Sequence, residues 1–177
     1  MEFDLKVIET QNGGDLVLLG NDLALDETFE TMIYLAMFGG NVQASTSPDR
    51  LPTEQDASWW GNALLYADTP SLQFNSLTER TLNTTPITSA GLIKMRQAVQ
   101  SDLEFMKEFA EVVVTVTSPK VDTVNIDILV TKPANLQQQR FVFIWDATLR
   151  SLLGSYRPNI HILPTLRGLN STLANIL

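Results

Sequence analysis

His161 is the only histidine in the chain, so a histidine-assisted nucleophile or an imidazole metal site would have to be built around it. It stands in an apolar run, residues 160–163, and no serine sits in a nucleophile-elbow pattern. A packed or surface histidine is the expectation. There is no cysteine, which excludes thiolate nucleophiles, disulfides and Cys-ligated zinc. The nine glycines never form a phosphate-cradling loop followed by lysine, and Gly39-Gly40 lacks the strand-to-helix setting of a dinucleotide site. No calcium-loop spacing of acidic residues appears either. No cofactor and no metal are expected. Paired carboxylates could hydrolyse a glycoside, and Glu27, Glu30, Glu54, Asp56 and Glu79 are candidates. Among twenty acidic residues such pairs arise without design, and solvated acidic faces are their usual fate.

Charge narrows the partners. The net charge is −8, and the twelve basic residues are scattered along the chain, with no cluster to neutralise successive phosphates. Nucleic acid is disfavoured. Apolar residues make up 44% and charged residues only 18%, which leaves neutral surface available for burial against other proteins. Residues 1–8 alternate acidic and apolar side chains, unlike a signal peptide, so synthesis and use in the cytosol are expected. The longest apolar runs, residues 32–38 and 141–145, fall far short of the ~20 residues of a membrane-crossing helix.

The elements that would carry any function follow from periodicity. Residues 3–8 and 16–19 predict a β-hairpin about the turn Asn12-Gly13-Gly14-Asp15. A second turn at Gly20-Asn21-Asp22 continues a meander in which an aspartate precedes an apolar triplet at Asp15 and again at Asp22. Phe29, Met32, Ile33, Ala36 and Met37 recur at helical spacing before Gly39-Gly40, although residues 33–38 are also short enough for a buried strand. Residues 45–58 have the composition of an exposed loop. Trp59-Trp60-Gly61-Asn62 then places two indoles beside a glycine that permits a sharp turn.

The clearest helix spans residues 89–110, with Leu92, Met95, Val99, Leu103, Met106 and Ala110 on one stripe and Thr88 or Ser89 as cap. Two β-branched runs, residues 112–117 and 121–131, flank Ser118-Pro119-Lys120 as a hairpin, with Val124, Ile126, Ile128 and Val130 on one face. Residues 135–139 read as a polar linker, residues 140–145 as a short apolar element, and residues 146–153 as a helix capped by Asp146. The fold class expected is α+β: a small mixed sheet of hairpins packed on one long helix, with a C-terminal extension. Residues 1–133 form the domain. Residues 134–177 form the extension, in which Leu166, Leu169, Leu173 and Leu177 recur at helical spacing and either dock on a partner or pack back on the domain.

The order of these elements resembles a family. Asp15-Leu16, Asp22-Leu23-Ala24, Trp59-Trp60-Gly61, the helix from Ser89 and the strands at Val112 and Val124 are similar to the Mu-type baseplate wedge proteins of contractile-tailed phages, over about residues 1–133. That family is related to a T-even wedge protein once labelled a lysozyme. Asn62 departs from the pattern, which usually continues with aspartate, and the Glu-Pro-Arg motif of the T-even relative is missing.

The resemblance implies a structural subunit of the virion, present in multiple copies and assembled in the host cytoplasm. It would bind other wedge proteins and offer a sheet edge to tail sheath protein, without nucleic acid, membrane or catalytic residue. Trp59 and Trp60 are interface candidates in this reading, or else core. Two alternatives stand beside it: a tail-associated muramidase, and an acidic module whose paired tryptophans grip a small ligand.

Overall fold

The computed structural model describes residues 4–9, 14–26, 28–40, 60–133 and 136–158. The fold is α+β. Its centre is a four-stranded sheet of β7 (Glu111–Lys120), β8 (Thr123–Thr131), β9 (Gln138–Asp146) and β10 (Ser151–Tyr156), in the order β10-β9-β8-β7. All its pairings are antiparallel, where the sequence suggested a mixed sheet. Each neighbour follows the last through a short turn, and a parallel neighbour would need a long crossover. The β7–β8 turn falls at Val121-Asp122, since Lys120 pairs with Thr123. Asp122 takes a positive φ of 57°, which aspartate tolerates better than most residues. Pro119 and Lys120 therefore belong to the strand and not to the expected turn, and the register shifts beside them.

One face of the sheet is the core. Val124, Ile126, Ile128 and Val130 share that face as their alternation predicts, joined by Phe141, Phe143 and Trp145 of β9, and all seven are buried. The helix α1 (Glu30–Phe38) packs there, with the Phe38 ring 6.3 Å from Trp145 and 6.1 Å from Phe143. It is a helix and not the alternative strand. It ends at Gly39-Gly40 as expected, and Gly40 has a φ of 87° that an L side chain adopts only with strain.

The helix Ser89–Asp102, here α4, is capped by Thr88, whose hydroxyl accepts from the Gly91 amide at 3.1 Å. It stops eight residues before the predicted end. A 3-10 turn, Glu104–Glu108, follows it, yet Met95, Val99, Leu103, Met106 and Ala110 are all buried, so the apolar stripe continues through the change of helix type. The helix end is tied to a segment distant in sequence. The Asp102 carboxylate accepts from the amides of Leu77 and Thr78 at 2.8–3.0 Å and so caps the short helix α3 (Thr78–Thr84).

The division at residue 133 does not hold. β9 lies between β8 and β10, so the sheet is incomplete without residues 138–156. The supposed linker is a hairpin connection, closed by Leu136 N donating to Lys132 O and Lys132 N donating to Gln137 O. The helix expected over 146–153 is also absent. Asp146 does cap, but it caps a turn, accepting from the amides of Thr148 and Leu149 at 2.8 and 3.0 Å, and the chain returns as β10. Trp59 and the leucines 166, 169, 173 and 177 lie outside the described residues, as do His161 and residues 45–58. Among the described residues no helix is long and apolar enough to cross a membrane.

Candidate assembly interface

Residues 4–9 and 14–26 build a unit that the sequence revealed only in part. Six short strands, β1 (Asp4–Leu5), β2 (Val7–Glu9), β3 (Gly14–Leu16), β4 (Leu18–Leu19), β5 (Asp22–Leu23) and β6 (Leu25–Asp26), pair as β2 with β3, β4 with β5, and β1 with β6. The first two are the expected hairpins. The third pairing closes the meander into a three-armed junction.

At its centre Lys6 N donates to Ala24 O at 2.8 Å, Ala24 N to Val17 O at 2.8 Å, and Val17 N to Lys6 O at 3.1 Å. Each of the three residues gives one hydrogen bond and receives one, in a closed ring. The register repeats three times. Leu5 pairs with Leu25, Leu16 with Val7, and Leu23 with Leu18. The unit behind this is Asp-Leu-x-apolar, present at Asp4-Leu5-Lys6-Val7 as well as at the two positions read from sequence. Lys6 hid the first copy, because a charged side chain broke the apolar triplet.

The junction has a wet side and a fixed side. Leu18 and Leu19 are 71% and 76% exposed, and Leu25 and Ile8 are also exposed. On the other side Val7 packs against the core and its amide donates to Thr31 Oγ1 at 3.1 Å. Asp26 ties the last strand to α1. Its carboxylate accepts from the Thr28 amide and hydroxyl at 3.0 and 2.6 Å and from the Thr31 amide at 3.2 Å. Burial pushes its pKa up, but these hydrogen bonds and the charge of Arg157 outweigh that and hold it below the usual carboxylate value.

Trp60 opens a helix, α2 (Trp60–Leu65), so Gly61 is helical and does not form the expected sharp turn. Asn62 is buried and holds the backbone of Phe74 from both sides. Ser76 extends the clamp, donating from its hydroxyl to Ala36 O at 2.6 Å and from its amide to Gly40 O. Beside this segment a cavity of about 460 Å³ is lined by Gln73, Asn75, Leu77, Asp102 and Phe105. Burial raises the pKa of its one carboxyl, Asp102, against hydrogen bonds that lower it. That carboxylate already caps α3, and no second acidic residue joins it in the lining.

Glu30 binds Arg157 at 3.2 Å and the Ser155 hydroxyl at 2.8 Å, Glu79 lies on α3, and Glu27, Glu54 and Asp56 fall outside the described residues. Among the described residues no three acidic or histidine side chains gather as a metal site.

What the fold does present is an edge. β7 is terminal in the sheet, ten residues long, and from Val112 to Ser118 carries no charge. Its outward Val113 is 50% exposed. Compared with known proteins, the chain matches no described family, no curated protein and no solved structure.

Proposed function

We propose that this chain is a structural subunit of a contractile phage tail baseplate, acting by binding and not by catalysis. The observation that carries the reading is the β7 edge. Long uncharged edge strands are normally blunted by lysine, proline or a covering element, because they recruit further strands. Here the blunting groups, Glu111, Pro119 and Lys120, stand only at the strand's ends. An edge of this kind takes an added strand through main-chain hydrogen bonds, while alternate side chains set specificity. The motif resemblance at Asp15-Leu16, Asp22-Leu23-Ala24 and Trp59-Trp60-Gly61 supports the same reading.

The partners proposed are other baseplate wedge proteins and the tail sheath protein, with several copies in the virion. Electron microscopy of purified tails tests it. Density for this chain in the baseplate is expected, whereas its presence only in the tube, the collar or the cell lysate overturns the assignment.

A further inference from the structure

Among the described residues β7 pairs on one side only, with β8. The helix α4 packs on its core face, where Val114 joins the buried cluster of Met95 and Val99, and Val112 and Val116 lie against that cluster. Val113, Thr115 and Thr117 alternate with these and are exposed. The other terminal strand is blunted. β10 has a register shift between Leu152 and Gly154, it touches β2, and its Ser155 hydroxyl is bonded to Glu30.

The sequence of β7 is matched to its own reversal. Its uncharged run, Val112–Ser118, is flanked by Glu111 at one end and, past Pro119, by Lys120 at the other. Both charged side chains are exposed, and neither has an ion-pair partner among the described residues.

A strand that pairs antiparallel with its own copy does so about a two-fold axis at one residue, which then meets itself, because opposed residues in such a ladder turn the same main-chain groups inward. The uncharged run centres on Thr115. Pairing about Thr115 opposes Val114 to Val116, Val113 to Thr117 and Val112 to Ser118 of the second copy. Glu111 then arrives beside Lys120, twice over by symmetry. Pro119, which lacks an amide hydrogen, falls at the margin of the ladder.

We infer that β7 pairs with β7 of a second copy of this chain, in register about Thr115, to make one continuous antiparallel sheet. The contact is isologous and closes, since each copy uses its one unblunted edge and β10 offers no like edge for further growth. Threonine meets threonine on the axis, a favourable cross-strand pair, and opposite charges meet at both ends. The inference rests on the reading of β7 as an edge that takes an added strand, and it names that strand; it does not depend on the baseplate assignment.

In the full-length protein, sedimentation over a range of concentrations reads the monomer–dimer equilibrium. Glu111→Lys and Lys120→Glu should each weaken the dimer roughly five-fold or more, since either change puts like charges together twice. An equimolar mixture of the two variants should recover it, because opposite charges then meet again at both ends.

The chain has no cysteine, so Thr115→Cys reports the register. On the axis its Cα atoms would lie ~4.5–5.5 Å apart, within reach of a disulfide, whereas Val113→Cys leaves its two copies roughly 14 Å apart along the strand. Thr115→Cys should cross-link between copies roughly ten-fold or more faster than Val113→Cys, or than Gln97→Cys on the exposed face of α4. A chain that stays monomeric at every concentration overturns the inference, as does a dimer indifferent to both charge changes. If the chain stays monomeric while Val113→Lys still lowers assembly into tails, the edge takes another protein's strand: the inference fails and the proposed function stands.

Discussion

The side-chain amide of Asn62 grips the backbone of Phe74 with both of its polar atoms, Oδ1 accepting from the Phe74 amide at 2.9 Å and Nδ2 reaching the Phe74 carbonyl at 3.4 Å. An ionised aspartate supplies only the acceptor half. Asn62→Asp should therefore destabilise the protein by about 1–3 kcal/mol at neutral pH, because a buried carbonyl loses its donor and faces a charge instead. The loss should shrink toward pH 4, where the new carboxyl takes up a proton and donates again. Urea unfolding at the two pH values checks this, and a substitution that is silent at both would show that the clamp is slack.

Asp26 gives a pH dependence of definite sign. Its pKa is lowered in the folded state, so its contribution is present above the unfolded carboxylate value of about 3.8–3.9 and is lost as pH falls through the lower folded value. Asp26→Asn should cost roughly 1 kcal/mol at pH 7 and close to nothing below the folded pKa. Stability curves of the two proteins should converge in acid, and parallel curves would contradict the role given to Thr28 and Thr31.

Ring closure at Lys6, Val17 and Ala24 makes three amides depend on one another. In hydrogen exchange followed by NMR they should be protected as a set, with similar opening free energies, although no strand around them exceeds three residues. Exchange of any one at the rate of an unstructured peptide would disprove the closed ring.

For the β7 edge, Val113→Lys places a charge on an exposed position of the terminal strand. Stability should change by no more than about 0.5 kcal/mol, since the site is outside the core. Assembly into tails should fall several-fold, measured by the fraction of the subunit that sediments with them. Full assembly would remove the edge from the proposed interface.

The core was legible in the sequence because periodicity reports burial directly. Leu92, Met95, Val99, Leu103, Met106 and Ala110 form one stripe in the sequence, and all are buried together except the half-buried Leu92, while Val124, Ile126, Ile128 and Val130 are buried without exception. What escaped was decided by partners distant in sequence. At the end of α4 the Asp102 carboxylate serves the amides at 77 and 78, a tie that no local pattern shows. Residues 138–146 looked like a linker and a fragment because their polar start hides a strand whose aromatic face needs β8 and β10 beside it. The third Asp-Leu unit escaped for a different reason, since Lys6 sits where the other copies have valine and alanine and its function there belongs to the backbone alone.

The interior place of β9 sets the order in which this protein becomes safe to release from a ribosome. Until residue 146 has emerged, β8 lacks one neighbour, and its fully apolar face of Val124, Ile126, Ile128 and Val130 borders an open edge. The nascent chain at that stage displays two bare β-branched strands side by side, the kind of surface that joins chains on adjacent ribosomes. Slow translation between codons 131 and 146 would lengthen that window, and rapid passage would close it.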